Sequence, residues 1–177
     1  MNMLKKGYIQ VYTGNGKGKT TAALGLALRA AGRGLRTYIG QFMKGQPSGE
    51  LKALEALDGR VIVKQYGRSA PVHLSVSPGA QDISLAQRGL DRAAEAMRSE
   101  QYDIIVLDEV TVALRFGLLT VEALVDFIKL KPERVELVIT GRYAPKQIIE
   151  MADLVTEMRE VKHYYQNGVG AREGIEQ

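Results

Sequence analysis

A glycine-rich loop near the N-terminus restricts the possible folds of this chain severely. Its eight residues, GNGKGKTT, are Gly14, Asn15, Gly16, Lys17, Gly18, Lys19, Thr20 and Thr21. Residues 8–13 before it are typical of a strand, and the Ala- and Leu-rich residues 20–31 after it are typical of a helix. Glycines let successive backbone N–H groups turn towards one anion, and the helix start adds its positive dipole. The sequence therefore predicts a phosphate-binding loop.

Two side chains of this loop have the chemistry for a phosphate and a metal ion. Lys19 can reach a terminal phosphate, and the hydroxyl of Thr20 can ligate Mg²⁺. The usual motif begins with a glycine where this chain has Thr13, so Gly14 and Gly16 supply the flexibility instead. The alternative is a plain glycine-rich turn with surface lysines. The order of strand, loop and helix around Gly-Lys-Thr favours phosphate binding.

Strand-like and helix-like segments alternate along the rest of the chain. Strands are predicted at residues 8–13, 37–43, 61–66, 104–107, 135–139 and 154–158, and helices at 20–31, 50–57, 82–98, 121–130 and 144–151. Helices between strands imply βαβ units and a mostly parallel central sheet in a three-layer α/β fold. We expect residues 1–177 to form a single domain with an irregular C-terminal tail, 166–177. The loop at residues 67–80 has no periodicity, and such long loops are more often functional or mobile.

Composition excludes several classes of protein. With 177 residues and no cysteine, the chain has no disulfide, no thiolate zinc site and no cysteine nucleophile. Its two histidines, His73 and His163, exclude a three-histidine metal site. No apolar run approaches the ~20 residues of a membrane span, and no signal peptide is recognisable. We expect a cytoplasmic protein that does not bind membranes.

Charge is distributed unevenly along the chain. Residues 1–49 hold eight basic side chains and no acidic one, whereas the remaining residues hold 16 basic and 20 acidic groups. A cationic N-terminal third suits a polyanion, either nucleotide phosphates or a nucleic acid. Chance clustering on a solvated surface is the alternative, and the predicted phosphate-binding loop favours the first explanation.

Acidic and basic residues follow two of the later strands, where they can meet the loop. Asp108 and Glu109 end the apolar run that begins at residue 104, and Asp108 could hold Mg²⁺ directly or through water. Glu109 could be a second metal contact or a base that activates water. Arg142 follows the strand at 135–139 and could face a triphosphate or ribose. Arg29, on the loop's own helix, could serve the nucleotide or simply face solvent.

Four stretches of the chain resemble one known family. They are GNGKGKTTAALGLALRAAG (14–32), IVLDEVTVAL (105–114), VELVITGRYAP (135–145) and ADLVTEMREVKHYYQNGVGAREGIE (152–176). The first two would suit any P-loop protein, whereas the C-terminal pair is far more specific. Together they are similar to the P-loop ATP:corrinoid adenosyltransferases, a family with a RecA-like fold that usually forms homodimers.

This resemblance implies transfer of the 5′-deoxyadenosyl group of ATP to the cobalt of a reduced corrinoid, with release of triphosphate. It implies that Gly14–Thr21 hold the triphosphate, that Thr20 and Glu109 hold Mg²⁺ or Mn²⁺ with Asp108 beside them, and that Arg29 and Arg142 surround the nucleotide. Lys19, Thr20 and Glu109 would be the catalytic residues. Cob(I)alamin is already a strong nucleophile, so the reaction needs no general base. A flavoprotein is the implied reductant.

The chain also departs from the family pattern. Some members support the corrinoid with a Phe-Thr-Trp segment, and this chain has no Trp. Candidates for displacing the axial cobalt ligand are Phe42, Tyr66, His73 and Leu74. His163 matches the family, and it could contact a substrate or only anchor the tail.

Two other functions remain open from the residues alone. The loop with Asp108 and Glu109 would also suit a P-loop ATPase or kinase, in which Glu109 polarises water or a substrate hydroxyl. The basic N-terminal third would suit a RecA-like nucleic-acid-binding module. Basic and aromatic residues are not interleaved as base stacking requires, so we expect no nucleic-acid partner.

Overall fold

A computed structural model describes residues 4–68 and 78–176 of the chain. The strands are β1 (Ile9–Thr13), β2 (Thr37–Phe42), β3 (Val61–Tyr66), β4 (Ile104–Asp108), β5 (Glu136–Thr140) and β6 (Leu154–Glu157). The helices are α1 (Lys19–Ala31), α2 (Gly49–Glu55), α3 (Ala80–Arg98), α4 (Val110–Arg115), α5 (Val121–Lys129) and α6 (Lys146–Met151), followed by a 3₁₀ turn at Tyr164–Asn167. Most of the predicted loop at 67–80 lies outside the described residues.

Six parallel strands form one sheet in the order β3-β2-β4-β5-β1-β6. The predicted α/β class with a central parallel sheet is therefore confirmed. Strand β5 lies between β1 and β4, with Ile9 opposite Leu137 on one side and Ile104 opposite Glu136 on the other. The C-terminal ends of β1, β4 and β5 consequently meet at one edge of the sheet, which is where parallel sheets bind ligands.

The two faces of the sheet support separate hydrophobic cores. On β4, Ile105 and Leu107 pack with α3 and α5, whereas Ile104 and Val106 pack with α1 and α2. This alternation follows from the two-residue period of a strand. Because both faces are covered, β4 and β5 are buried along their whole length. The result is the three-layer arrangement that the sequence predicts.

Several element ends differ from the prediction, each for a local reason. Strand β2 ends at Phe42 rather than residue 43, since Met43 has φ 58° and leaves the extended conformation. Helix α6 begins at Lys146 rather than residue 144, because Pro145 disfavours helical geometry in the residue before it. Helix α4 and the 3₁₀ turn, of six and four residues, were not predicted.

Among the described residues, no helix has the length and apolar character that crossing a membrane would require.

Candidate active site

A cavity of about 460 Å³ lies at the sheet edge where the predicted loop, acid and arginine meet. Its lining comprises Gly16, Lys17, Gly18, Lys19, Thr20, Thr21, Leu24, Lys44, Gly49, Glu50, Glu109, Arg142, His163, Gly174, Ile175 and Glu176. Ligand pockets commonly have volumes of about 300–1,000 Å³, so this cavity is of sufficient size for a small-molecule substrate. Most of the predicted site residues are brought together here.

The first half of the glycine-rich loop packs closely against the chain that follows β6. A Cβ atom on Gly14, whose φ is +96°, would lie 2.3 Å from the carbonyl oxygen of Met158. One on Gly16 would lie 2.8 Å from the backbone of Arg159. The Gly16 amide donates to the Met158 carbonyl at 2.7 Å, so this N–H is already used. Asn15 accepts from the Glu160 amide at 3.1 Å. The sequence did not indicate this packing of the loop against the segment after β6.

The second half of the loop presents free backbone donors. Gly18, with φ +119°, is the N-cap of α1, and no described side chain caps the helix. The first intrahelical bond runs from the Ala22 amide to the Gly18 carbonyl at 2.7 Å. The amides of Lys19, Thr20 and Thr21 precede Ala22, the first intrahelical donor, and therefore have no acceptor within the helix. Together with the helix dipole, they can bind an anion such as a phosphate.

Lys19 is buried at the base of the cavity, with only 5% of its surface exposed. Its ammonium donates to the Gly16 carbonyl at 2.7 Å. Burial lowers the pKa of Lys19, an effect that the nearby Glu109 carboxylate opposes. Because the Lys19 ammonium is shielded from water and makes one hydrogen bond, an anionic ligand can still form a charge-assisted hydrogen bond with it.

Asp108 lies beneath the loop and accepts hydrogen bonds from three side chains. Thr20 Oγ1 donates to its Oδ1 at 2.9 Å, Thr140 Oγ1 donates to the same oxygen at 2.7 Å, and the Gln41 amide reaches Oδ2 at 3.3 Å. Burial raises the pKa of Asp108, and the hydrogen bonds from Thr140, Thr20 and Gln41 oppose this. Asp108 therefore orients the Thr20 hydroxyl, whose lone pairs remain available to a ligand.

Glu109 faces the cavity because the chain turns sharply after β4. Its backbone has φ 60°, a left-handed conformation that is uncommon in non-glycine residues, and its amide donates to Thr140 Oγ1 at 3.0 Å. Burial raises the pKa of Glu109, and the neighbouring Asp108 raises it further. Such strain and a perturbed carboxyl are frequent at functional sites.

The oxygen atoms of this region suit a hard divalent cation. No group of three or more His, Asp or Glu residues with metal-binding geometry exists in the described part of the chain. Mg²⁺, however, typically takes one or two carboxylates and completes its shell with water and substrate phosphates. The Thr20 hydroxyl and the Glu109 carboxylate, both at the cavity, match that donor set.

Arg142 lines the cavity at the end of β5, and Thr111 of α4 holds its backbone. Thr111 Oγ1 donates to the Arg142 carbonyl at 2.8 Å. A Cβ on Gly141, with φ +137°, would lie 2.3 Å from that hydroxyl. Thr111 is fully buried, and no pattern in the sequence distinguishes it.

Arg29 is a predicted site residue that lies apart from the cavity. It lies on the last turn of α1, is exposed, and does not line the cavity. A helix rises about 1.5 Å per residue, so Arg29 is more than a turn away from the loop. Its role at the nucleotide stays a prediction.

The candidates for displacing an axial cobalt ligand lie in different parts of the chain, and the structure describes only two of them. Phe42 and Tyr66 are buried in the core, with ring centroids 6.2 Å apart, so their place in the structure is a packing one. His73 and Leu74 lie outside the described residues. His163 lines the cavity, and its Nδ1 accepts from the Tyr165 amide at 3.1 Å, so its contact with a substrate stays a prediction.

Three further features of the site were not anticipated. Lys44 and Glu50 form an ion pair at 2.5 Å across the cavity rim. Gln41 is a buried amide next to the last residue of β2, and a polar side chain at that position was a usable signal. Residues 174–176 of the tail line the cavity, although nothing in their spacing indicates it.

A glycine-rich helix start whose Thr20 hydroxyl contacts the carboxylate of Asp108 at the C-terminal end of a parallel sheet is typical of a P-loop-type α/β protein. More narrowly, the chain belongs to the ATP:corrinoid adenosyltransferase family. The profile described as ATP:corrinoid adenosyltransferase BtuR/CobO/CobP matches residues 5–177.

Curated relatives share this similarity over nearly the whole chain. A corrinoid adenosyltransferase of a Sinorhizobium species is 37% identical over 174 residues, which cover 97% of this chain and 81% of the relative. The corrinoid adenosyltransferase of Escherichia coli K12 is 36% identical over 173 residues, with coverage of 97% and 86%. The corrinoid adenosyltransferase CobA of Salmonella typhimurium LT2 has the same identity and coverage.

Proposed function

We propose that this enzyme transfers the 5′-deoxyadenosyl group of ATP to the cobalt of a reduced corrinoid, cob(I)alamin or a precursor. The cobalt electron pair forms a bond with C5′ while the bond from C5′ to the triphosphate oxygen breaks. Triphosphate leaves with the electron pair of the broken C5′–O bond. The observation that carries the proposal is the convergence of the loop, Glu109 and Arg142 on one cavity, in a chain that matches this family from residue 5 to 177.

The loop's contribution is to hold and neutralise the leaving triphosphate. We assign this role to residues 14–21, chiefly through the free amides at the start of α1 and the ammonium of Lys19. Arg142, which also lines the cavity, adds a second cation. Fixed donors placed where negative charge develops lower the barrier without reorganisation, and alignment of the reactants supplies much of the remainder.

We assign Mg²⁺ or Mn²⁺ to Thr20 and Glu109, with Asp108 orienting the Thr20 hydroxyl. When bound, the cation neutralises part of the charge on the triphosphate. Glu109 then needs no role as a base, because cob(I)alamin carries no proton to remove. Its raised pKa also suits a base in ATP hydrolysis, which is the reason to test that alternative directly.

The proposal includes two partners and a location. A flavoprotein would reduce the corrinoid in the cytoplasm, and a homodimer would form the working unit. Leu154, Val155 and Val161 support the dimer, since these apolar side chains are 45%, 42% and 95% exposed in the single chain. Sedimentation equilibrium would report the oligomeric state.

An anaerobic assay with ATP, Mg²⁺ and chemically reduced cob(I)alamin tests the reaction. We expect a light-sensitive Co–C product and one triphosphate per product. Lys19→Ala should reduce the rate at least about a hundredfold, whereas Lys52→Ala, on the exposed side of α2, should leave it unchanged. Release of ADP and phosphate with an unaltered corrinoid would instead identify a P-loop ATPase.

A further inference from the structure

The last residues of the tail form a small closed unit, which we call the terminal turn (residues 172–176). The Arg172 carbonyl accepts from the amides of Ile175 at 3.2 Å and Glu176 at 2.9 Å. The Glu176 carboxylate in return accepts from the Arg172 amide at 2.8 Å and from its guanidinium. Tyr164 also donates its hydroxyl to this carboxylate, and Arg172 stacks over the Tyr164 ring at 4.7 Å.

Lys17 connects the terminal turn to the glycine-rich loop. Its ammonium donates to the Ile175 carbonyl at 3.1 Å and lies 3.4 Å from the Glu176 carboxylate. The two lysines of the loop thus point to different partners, since Lys19 is buried against Gly16 while the Lys17 side chain is 42% exposed. Only Lys19 is positioned at the base of the cavity.

We propose that Lys17 is a positioning residue, which fastens the terminal turn as a wall of the nucleotide cavity rather than contacting phosphate directly. The inference rests on the proposed function in one respect, namely that ATP occupies this cavity. It assigns Lys17 and Glu176 to substrate affinity and excludes them from bond making and breaking.

Charge explains why the wall needs this lysine. Glu176 stays ionised, because hydrogen bonds from Arg172 and Tyr164 lower its pKa to about 2. A carboxylate beside a triphosphate would repel it, and the cations of Arg172 and Lys17 compensate that charge. Loss of Lys17 removes one of these two cations and, at the same time, the link between the terminal turn and the loop.

The volume of the cavity shows that the terminal turn lines the nucleotide site without filling it. The cavity of about 460 Å³ is the space that remains with Gly174, Ile175 and Glu176 in place. A space of this size lies within the range of ligand pockets, so the turn and a bound ligand are compatible. Closing the side of an otherwise open site slows ligand escape.

A double-mutant cycle on the full chain tests the inference, with Mg²⁺ and ATP as the probe. We expect Lys17→Gln to raise the Kd and KM for ATP about tenfold, with kcat changed less than about twofold. Glu176→Ala removes the contacts that hold the terminal turn together. In that background Lys17→Gln should therefore raise the Kd for ATP by less than about twofold. Lys17→Arg should restore most of the affinity, and Lys146→Gln, an exposed lysine of α6, is the matched control.

Limited trypsin digestion gives a second readout that is independent of catalysis. Cleavage after Arg172, followed by intact mass, should be faster in Lys17→Gln than in the parent chain, and ATP with Mg²⁺ should slow it in the parent chain. Equal effects of Lys17→Gln with and without Glu176→Ala would mean that Lys17 binds phosphate directly and would overturn the inference. Unchanged cleavage would overturn it as well.

The two proposals can fail separately. If the cycle and the digestion behave as expected while cob(I)alamin is not adenosylated, the wall stands and the proposed reaction is wrong. If adenosylation occurs while the two substitutions are additive, the reaction stands and the role of Lys17 is wrong.

Discussion

Asp108 and Glu109 are neighbours in the chain but occupy opposite environments. Asp108 ends a buried strand, is 3% exposed, and meets the hydroxyls of Thr20 and Thr140. Glu109 enters a left-handed turn that directs its side chain into the cavity. The Asp108 carboxylate therefore orients the threonine hydroxyls, whereas the Glu109 carboxylate is available to a ligand.

Glu109→Gln should change how stability depends on pH. Because the folded-state pKa of Glu109 is raised, the folded chain binds more protons than the unfolded chain from the usual carboxyl pKa of about 4.3 upwards to the raised value. Its stability therefore falls as pH rises through that window. Glutamine removes this contribution, so the melting temperature of the variant should exceed that of the parent increasingly as pH rises.

Calorimetry without metal or nucleotide between about pH 4 and pH 8 measures this difference. Glu55→Gln, an exposed residue at the end of α2, is the matched control for the substitution of a carboxylate by an amide. Activity should meanwhile fall about a hundredfold in Glu109→Gln, since an amide is a poor Mg²⁺ ligand. A constant offset between variant and parent at all pH values would contradict the prediction.

At the scale of elements, the loop and the segment after β6 behave as one unit. Their pairing continues the β1–β6 ladder beyond Thr13, through the Met158 amide to the Thr13 carbonyl at 2.8 Å and then the Gly16 amide to Met158. Residues 14–16 of the loop are thereby held against the segment after β6, whereas the amides of residues 19–21 remain available to a ligand.

Gly14→Ala and Gly25→Ala should have opposite effects on stability. Alanine at Gly14 combines a left-handed φ with an overlap at the Met158 carbonyl, so we expect a loss of more than about 2 kcal/mol. Gly25 is exposed inside α1, and a methyl group there would meet open space, so alanine should gain about 0.5–1 kcal/mol. Urea denaturation measures both, and equal stabilities would show that the loop tolerates displacement.

For the whole molecule, the site joins distant parts of the chain. The loop follows the first strand, the acid follows the fourth, and the tail that closes the cavity lies beyond the sixth. A ligand that contacts all three stabilises the folded state as a whole, because the unfolded chain does not hold them together.

ATP with Mg²⁺ should therefore raise the melting temperature. A ligand at about 100 times its Kd contributes about 2.7 kcal/mol, which corresponds to roughly 5–10 °C for a domain of this size. Scanning calorimetry should show this shift for the parent and for Lys52→Ala, and a much smaller one for Lys19→Ala. An equal shift in all three would place the nucleotide elsewhere.

Much of this protein could be predicted from local pattern. The loop with Lys19 and Thr20, the buried strand before Asp108, and the alternation of elements are signalled by neighbouring residues, because backbone conformation and periodicity are local properties. Arg29 shows the limit of local pattern, since its position on the helix did not indicate that it is exposed and does not line the cavity of the single chain.

What the sequence by itself determined is the class of fold and the places of the glycine-rich loop and of the acidic pair after the buried strand. Only the tertiary structure decided which atoms meet across the sheet edge: Thr111 under Arg142, Met158 against Gly16, and Glu176 beside Lys17. These contacts depend on strand order and on the path of the tail. Long-range packing sets both, and no pattern of adjacent residues encodes it.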